Sequence, residues 1–113
     1  MFRSINPKNG KILSKIIPFM SRKQLDAAIN TSYKTFLGFR DTHIHDRLHK
    51  ISNLRKNLEQ NLDNYAQTMT DEMGKPILQA RAEISKCANH CLYYEENSEK
   101  MLQSVPIQTE ADN

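Results

Sequence analysis

One stretch of the sequence reads LHKISNLRKNLEQNLDNYAQTMTDEM, from Leu48 to Met73. Apolar residues recur in this stretch every three or four positions, which is the spacing of a single face of an α-helix. The spacing therefore predicts one long amphipathic helix over about residues 44–73. The apolar positions are Leu48, Ile51, Leu54, Leu58, Leu62, Tyr65, Met69 and Met73.

The residues that follow predict the end of this helix and the start of another. Gly74 stands where a left-handed C-cap is favoured, because glycine has no Cβ to clash. Pro76 suits the first turn of a helix, where its missing N–H does no harm. A helix over about residues 77–103 then carries apolar residues near one face. Those residues are Ile77, Ala80, Ile84, Cys87, Ala88, Cys91, Tyr94, Met101 and Leu102.

A further helix is predicted upstream, from a capping signal. Ser21 and Gln24 have the Ser-x-x-Gln spacing of a capping box, in which the hydroxyl and the amide satisfy free backbone donors. The helix should begin there and continue to about Arg40, although Gly38 weakens its last turn. Its apolar residues at helical spacing are Leu25, Ala28, Ile29, Phe36 and Phe39.

The first residues predict a turn between two short β-prone stretches. Asn6-Pro7-Lys8-Asn9-Gly10 combines a proline with an Asn-Gly pair, and β-prone residues flank it around Ile5 and over residues 11–17. The expected fold class is therefore mainly α, with a short N-terminal β-hairpin followed by three helices. We divide the chain into a turn or hairpin (residues 1–20), a three-helix segment (21–103) and an extended, truncated tail (104–113).

Composition favours a soluble globular protein. The 113 residues are 38% hydrophobic and 26% charged, which fits one domain or part of one. No apolar run approaches the roughly 20 residues of a membrane span, and no secretory leader is visible, so we predict a cytoplasmic protein that does not enter a membrane. Cys87 and Cys91 are the two cysteines. Their spacing suits two thiols packed in a helical core better than a secreted disulfide framework.

The net charge of +3 conceals a strong asymmetry. Residues 1–56 contain 12 Lys and Arg against 3 Asp and Glu, or +9, whereas residues 57–113 contain 4 against 10, or −6. The basic residues are scattered and are not interleaved with stacking aromatics, so we do not predict nucleic-acid binding. The opposite charges either attract each other across neighbouring elements or face other parts of a larger protein.

Two groups of residues suggest chemistry, and both have simpler interpretations. His45 and His49 are four apart, as in the helical H-E-x-x-H zinc signature, but the intervening acid is an aspartate and no distant third ligand is evident. We interpret them as surface histidines at a helix start. Cys87, His90 and Cys91 could form a thiol site, yet the apolar stripe explains both cysteines as core residues with low reactivity, and His90 should point away from both.

A series of short matches resembles a known family. Residues 72–77, EMGKPI, look like the E-M-G-K-P element between two helices of the aldehyde dehydrogenase superfamily. Three segments follow in register and are similar to its succinate-semialdehyde branch: QARAEI (79–84), KCA (86–88) and YYEEN (93–97). Upstream, INPKNG (5–10) resembles the opening N-P-x-T-G turn of the family, and Asp46-Arg47 matches its E-R helix start. The resemblance covers nearly the whole chain.

Four positions depart from the pattern of that family. Phe39 stands where tryptophan is usual, Asn9 where threonine is usual, Asn89 where this branch often has tryptophan, and His43 at the usual capping serine. These departures bear on substrate specificity and local stability rather than on membership of the family.

The resemblance implies a subunit several hundred residues long, with a Rossmann-like NAD(P) domain, a catalytic domain and a bridging arm. In that family the catalytic cysteine, the general-base glutamate, the oxyanion asparagine and the cofactor loops all lie downstream of this segment. NAD or NADP is therefore implied for the full-length protein, and we assign no catalytic, cofactor-binding or metal-binding residue to this chain. The helix with Ala82, Lys86 and Asn89 resembles one that approaches the substrate entrance, which makes these residues second-line contacts at best.

Two functional hypotheses follow. In the first, the chain is the N-terminal fragment of an NAD(P)-dependent aldehyde dehydrogenase that oxidises succinate semialdehyde or another small aldehyde, and it is inactive alone. In the second, it is a stand-alone helical interaction module without enzymatic activity. Under either hypothesis the expected partners are a second copy of the chain or other aldehyde dehydrogenase segments, because the apolar stripes need covering.

Overall fold

The computed structural model describes residues 3–13 and 17–108 of the chain. It contains four helices in these ranges: α1 (Arg22–Phe39), α2 (Ile44–Gln60), α3 (Leu62–Met73) and α4 (Ile77–Met101). The prediction of a mainly helical chain is confirmed.

The first helix begins as its capping signal predicts. The Ser21 hydroxyl oxygen accepts a hydrogen bond from the Gln24 backbone N–H at 3.3 Å, and the Gln24 side-chain oxygen accepts one from the Ser21 N–H at 2.8 Å. Both bonds of the capping box are therefore present, and they satisfy two donors that a helix start leaves free. The helix ends where Arg40 donates its backbone N–H to the carbonyl of Phe36.

The prediction of one helix over residues 44–73 is wrong, because the chain bends at Asn61. This residue leaves the helical region, with φ −110° and ψ 18°, and it is both the C-cap of α2 and the N-cap of α3. The Asn61 side-chain amide donates to the carbonyl of Asn57 at 3.0 Å, and the hydroxyl of Tyr65 donates to the Asn57 side chain at 2.6 Å. Asparagine forms such local bonds readily, and they compete with a continuous helix. The apolar periodicity runs through the bend and does not reveal it.

Gly74 ends α3 in the left-handed conformation that its position predicts. Its φ is +72°, and its N–H donates to the carbonyl of Thr70 at 2.9 Å. The N-terminal turn packs here: a Cβ on Gly74 would lie 3.1 Å from Cγ of Pro7. Pro76 then forms the N-cap of α4, one position before the first turn in which we expected it.

Helix α4 packs against both α2 and α3, and the core lies along that seam. Three of the four buried apolar residues of the described chain are alanines: the set is Ala66 on α3 and Ala80, Ile84 and Ala88 on α4. Alanines let helix axes approach closely but bury little apolar area. None of the described residues is a large side chain that is completely buried.

The prediction that both cysteines lie in the core is wrong for Cys87, which is exposed, whereas Cys91 is half-buried. The buried positions of α4 repeat every four residues from Ala80 to Ala88. Cys87 falls at the margin of this stripe, where neither packed helix covers it.

The predicted N-terminal β-hairpin is not seen: Ile5 and Ile12 form an isolated antiparallel bridge, and the described residues form no sheet. The turn itself is present, with Gly10 at φ +70° donating its N–H to the carbonyl of Asn6 at 2.8 Å. Two backbone hydrogen bonds join the arms of the turn: the N–H of Asn6 donates to the carbonyl of Lys11, and the N–H of Leu13 donates to the carbonyl of Ser4, both at 2.9 Å. The side chains of Asn6 and Asn9 accept further backbone N–H bonds within the turn. Residues 14–16 of the predicted second strand and residues 109–113 of the tail lie outside the described residues.

Helix α1 stands apart from the rest of the fold. Within the described ranges it has no buried residue and packs against none of the other three helices. The radius of gyration is 20.6 Å, and the extents are 72 × 41 × 26 Å. A compact domain of this length would have a radius of about 13 Å. None of the described helices is both long and apolar enough to cross a membrane.

Candidate functional site

A shallow depression on α4 brings together a thiol, an imidazole, an ammonium and a carboxylate. It is lined by Ala82, Glu83, Lys86, Cys87 and His90. Ala82 and Lys86, which the resemblance places near a substrate entrance, therefore lie together in it, whereas Asn89 is exposed and is not part of its lining. The prediction that His90 points away from Cys87 is wrong, because the two residues, three apart on the helix, share one face.

The groups of this depression are not arranged as a nucleophile and its base. No hydrogen bond joins Cys87 to His90 in the described structure, and nothing there orients the imidazole, although a thiol–imidazole pair in catalysis needs both contacts. The carboxylate of Glu83 is engaged in an ion pair with the ammonium of Lys75. What the depression offers is an accessible thiol beside a cation and an imidazole.

The histidines at the N-terminus of α2 have a structural role there. Nδ1 of His43 accepts the backbone N–H of His45 at 3.3 Å, so His43 caps the helix in place of the serine usual in the resembling family. The two rings stack with centroids 5.0 Å apart, and Nε2 of His45 lies 3.8 Å from a carboxylate oxygen of Glu99 on α4. Within the described ranges, no group of three His, Cys, Asp or Glu side chains could hold a metal ion.

The strongest electrostatic feature joins α2 to α4, and the sequence did not reveal it. Nε of Arg55 donates to Glu95 at 2.9 Å, and Nη1 donates to Glu59 at 3.0 Å. The hydrogen bond from Arg55 holds the pKa of the Glu95 carboxyl below its usual range, and the two carboxylates raise the pKa of Arg55 further. Both members of the Arg55–Glu95 pair are mostly shielded from solvent. The pair therefore fixes how the two helices sit against each other.

The three glycines of the chain lie in separate places in the described structure. Phosphate-binding loops bring several glycines together at the start of a helix. Here Gly10 closes the N-terminal turn, Gly38 lies in the last turn of α1 and Gly74 ends α3, so each stands alone.

Comparison with known proteins gives a consistent result. The aldehyde dehydrogenase family model matches residues 1–113. Succinate semialdehyde dehydrogenase [NAD(P)+] of Escherichia coli is 38% identical over 107 residues, which are 95% of this chain and 23% of that protein. A probable succinate-semialdehyde dehydrogenase [NADP+] of Synechocystis is 34% identical over 108 residues, 96% of this chain and 24% of that protein.

Solved structures share the fold. The crystal structure of succinic semialdehyde dehydrogenase from Streptococcus pyogenes, in complex with NADP+, matches with a TM-score of 0.89 and 24% identity, over 97% of this chain and 24% of that one. Glyceraldehyde-3-phosphate dehydrogenase from Methanocaldococcus jannaschii, complexed with NADP, gives a TM-score of 0.86 and 24% identity, over 96% of this chain and 24% of that one. The chain spans about a quarter of the length of these relatives. The resemblance seen in the sequence is confirmed, and the chain belongs to the aldehyde dehydrogenase family.

Proposed function

We propose that this chain forms the N-terminal quarter of an NAD(P)-dependent aldehyde dehydrogenase subunit that oxidises a small aldehyde, succinate semialdehyde to succinate. The observation that carries the proposal is the 38% identity to the Escherichia coli enzyme over 95% of the chain. The second relative, also a succinate-semialdehyde dehydrogenase by name, supports the same substrate. We place the subunit in the cytoplasm, since both cysteines are free thiols.

Within such a subunit, this chain has a structural role. Oxidation of an aldehyde to an acid removes a hydride from the carbonyl carbon after a nucleophile has added to it. It therefore needs a nicotinamide held against that carbon and a positioned thiolate. In support of this role, exposed Cys87 forms no hydrogen bond with His90 among the described residues, and Gly10, Gly38 and Gly74 lie in separate elements. What the described residues do provide is the α2–α4 seam and the Arg55–Glu95 pair that stabilise one region of the fold.

The alternative, a stand-alone interaction module, fits the structure less well. A radius of gyration of 20.6 Å and a core of three alanines and one isoleucine are typical of a piece that depends on its surroundings. Size-exclusion chromatography with light scattering, together with hydrophobic-dye binding, separates the two hypotheses. The fragment should self-associate or bind dye through its uncovered apolar surface. A tight monomer that binds no dye and melts cooperatively would favour the module.

Activity tests the proposal directly. The purified chain should neither bind NAD(P)+ at micromolar concentration nor form NAD(P)H with succinate semialdehyde, as measured by absorbance and by calorimetric titration. A subunit that joins this chain to the missing three quarters of a relative should form NAD(P)H with the same aldehyde. Aldehyde-dependent NAD(P)H formation by the chain alone, lost in Cys87→Ala or Cys91→Ala, would show that the chain is catalytically complete and overturn its assignment as a fragment.

A further inference from the structure

Helix α1 carries an apolar face that no described residue covers. With 100° per residue, one side of the helix collects its large apolar residues. These residues are Leu25, Ile29, Phe36 and Phe39, with exposed fractions of 44%, 58%, 53% and 42%. An exposed apolar patch of this kind marks a surface on which another protein element packs.

An open depression overlaps one edge of this face. Phe36 and Phe39 line it together with small residues, which are Ala27, Ala28, Thr31, Ser32 and Thr35. Small side chains let another backbone approach the helix, while the two rings supply most of the apolar area that such an approach would bury.

The opposite side of α1 carries charged residues that are exposed to solvent. Lys34 lies two residues before Phe36, about 200° around the helix, and it is exposed, as is Lys23. The helix therefore has one side to be covered and one side to remain solvated.

The position of α1 is shared with proteins roughly four times as long. The Streptococcus pyogenes structure matches 97% of this chain at a TM-score of 0.89. The unmatched 3% amounts to about three of 113 residues, so it cannot contain the 18 residues of α1. Since α1 packs against none of the other described helices, those helices do not hold it in the position that it shares with a complete subunit.

We propose that the Leu25–Ile29–Phe36–Phe39 face of α1 is the surface by which this chain docks onto the remaining three quarters of an aldehyde dehydrogenase subunit, and that it can do so in trans as a separate chain. The inference rests on the proposed function, since the partner is the rest of that subunit. Its partner surface is apolar and contacts α1 on this side alone.

The test mixes the intact 113-residue chain with the Escherichia coli relative from which the aligned 107-residue segment has been removed. That segment of the relative, supplied separately, is the positive control. Complex formation is measured by light scattering and by titration. The variants are Phe36→Asp on the apolar face and Lys34→Asp on the solvated face of the same helix. Because α1 packs against none of α2–α4, neither substitution should change the thermal unfolding of those helices.

We expect a one-to-one complex. Phe36→Asp should raise its dissociation constant by at least about tenfold, and Lys34→Asp should raise it by less than about twofold. Three results would overturn it: no complex with this chain while the relative's own segment binds, equal binding by wild type and Phe36→Asp, or self-association through Phe36 with no complex. A covalent chimera, with this chain in place of the aligned segment, gives an independent measurement. There, Phe36→Asp should lower the melting temperature and Lys34→Asp should not.

Activity is recorded separately. A Phe36-dependent complex or chimera that forms no NAD(P)H from succinate semialdehyde would refute the proposed substrate and leave the docking surface standing. An active complex that tolerates Phe36→Asp would refute the docking surface and leave the proposed substrate standing.

Discussion

Truncation of Ile84 should destabilise the helical core far more than the same truncation on α1. Ile84 is 8% exposed and is the largest of the buried apolar residues on the α4 seam. The change Ile84→Ala removes three buried carbons at about 0.8 kcal/mol each, or about 2 kcal/mol of transfer free energy. Part of the cavity collapses because the seam is thin, so the total cost should be about 2–3 kcal/mol.

Ile29→Ala is the matched control, because it makes the same chemical change at a position that is 58% exposed on a helix without neighbours. It should cost less than about 0.5 kcal/mol. Urea unfolding followed by far-UV circular dichroism, at concentrations low enough to prevent association, measures both. With a slope of about 1 kcal/mol/M, Ile84→Ala should lower the urea midpoint by about 2–3 M. Equal midpoints for the two variants would refute the assignment of the core to the α2–α4 seam.

Three further outcomes are expected. The hydrogen bond from Arg55 lowers the pKa of Glu95, so the ionised carboxylate stabilises the folded state. This stabilisation should be complete above about pH 4.3, the ordinary pKa of glutamate, and it should be lost as the pH falls through the lowered pKa. The melting temperatures of wild type and Glu95→Gln should therefore converge as the pH is lowered. A difference that stays constant with pH would show that the Arg55–Glu95 ion pair does not stabilise the fold. Gly74→Ala should cost about 1–2 kcal/mol in urea unfolding, because φ is +72°, whereas Gly38→Ala, where a Cβ meets nothing, should cost nothing. In mass-spectrometric alkylation, exposed Cys87 should react faster than half-buried Cys91, and the reverse order would contradict the packing of α4.

The features that could be predicted from the sequence are those that depend on near neighbours in the chain. The Ser21–Gln24 capping box and the left-handed Gly74 each rest on a few consecutive residues, and both occur as expected. Apolar periodicity predicted the helices for the same reason, since one face must be buried. The break at Asn61 was not predicted because apolar periodicity reports which side of a helix is apolar. It does not register a single residue whose backbone leaves the helical region.

The features that could not be predicted depend on which helices meet. Arg55 and Glu95 are 40 residues apart, and nothing in either segment selects the other as its partner. The exposure of Cys87 likewise depends on how far the surfaces of α2 and α3 extend over α4. A pattern of apolar residues does not define that extent. The four-residue spacing of Ala80, Ile84 and Ala88 was the available signal, since it sets the centre of the buried stripe away from Cys87.

The charge asymmetry of the chain has two different explanations in the structure. Arg55 of the basic half pairs with Glu95 of the acidic half, so part of the imbalance is attraction between packed helices, one of the two explanations that the sequence left open. The basic residues of α1 behave differently: Arg22 pairs with an aspartate four residues on in the same helix, and Lys23 and Lys34 form no ion pair with any described residue. Because Lys34 lies opposite the apolar face, its charge would stay in water when that face is covered. The basic character of α1 thus fits a helix that is apolar toward its subunit and charged toward solvent, and it makes charge reversal at Lys34 a fair control for the loss of Phe36.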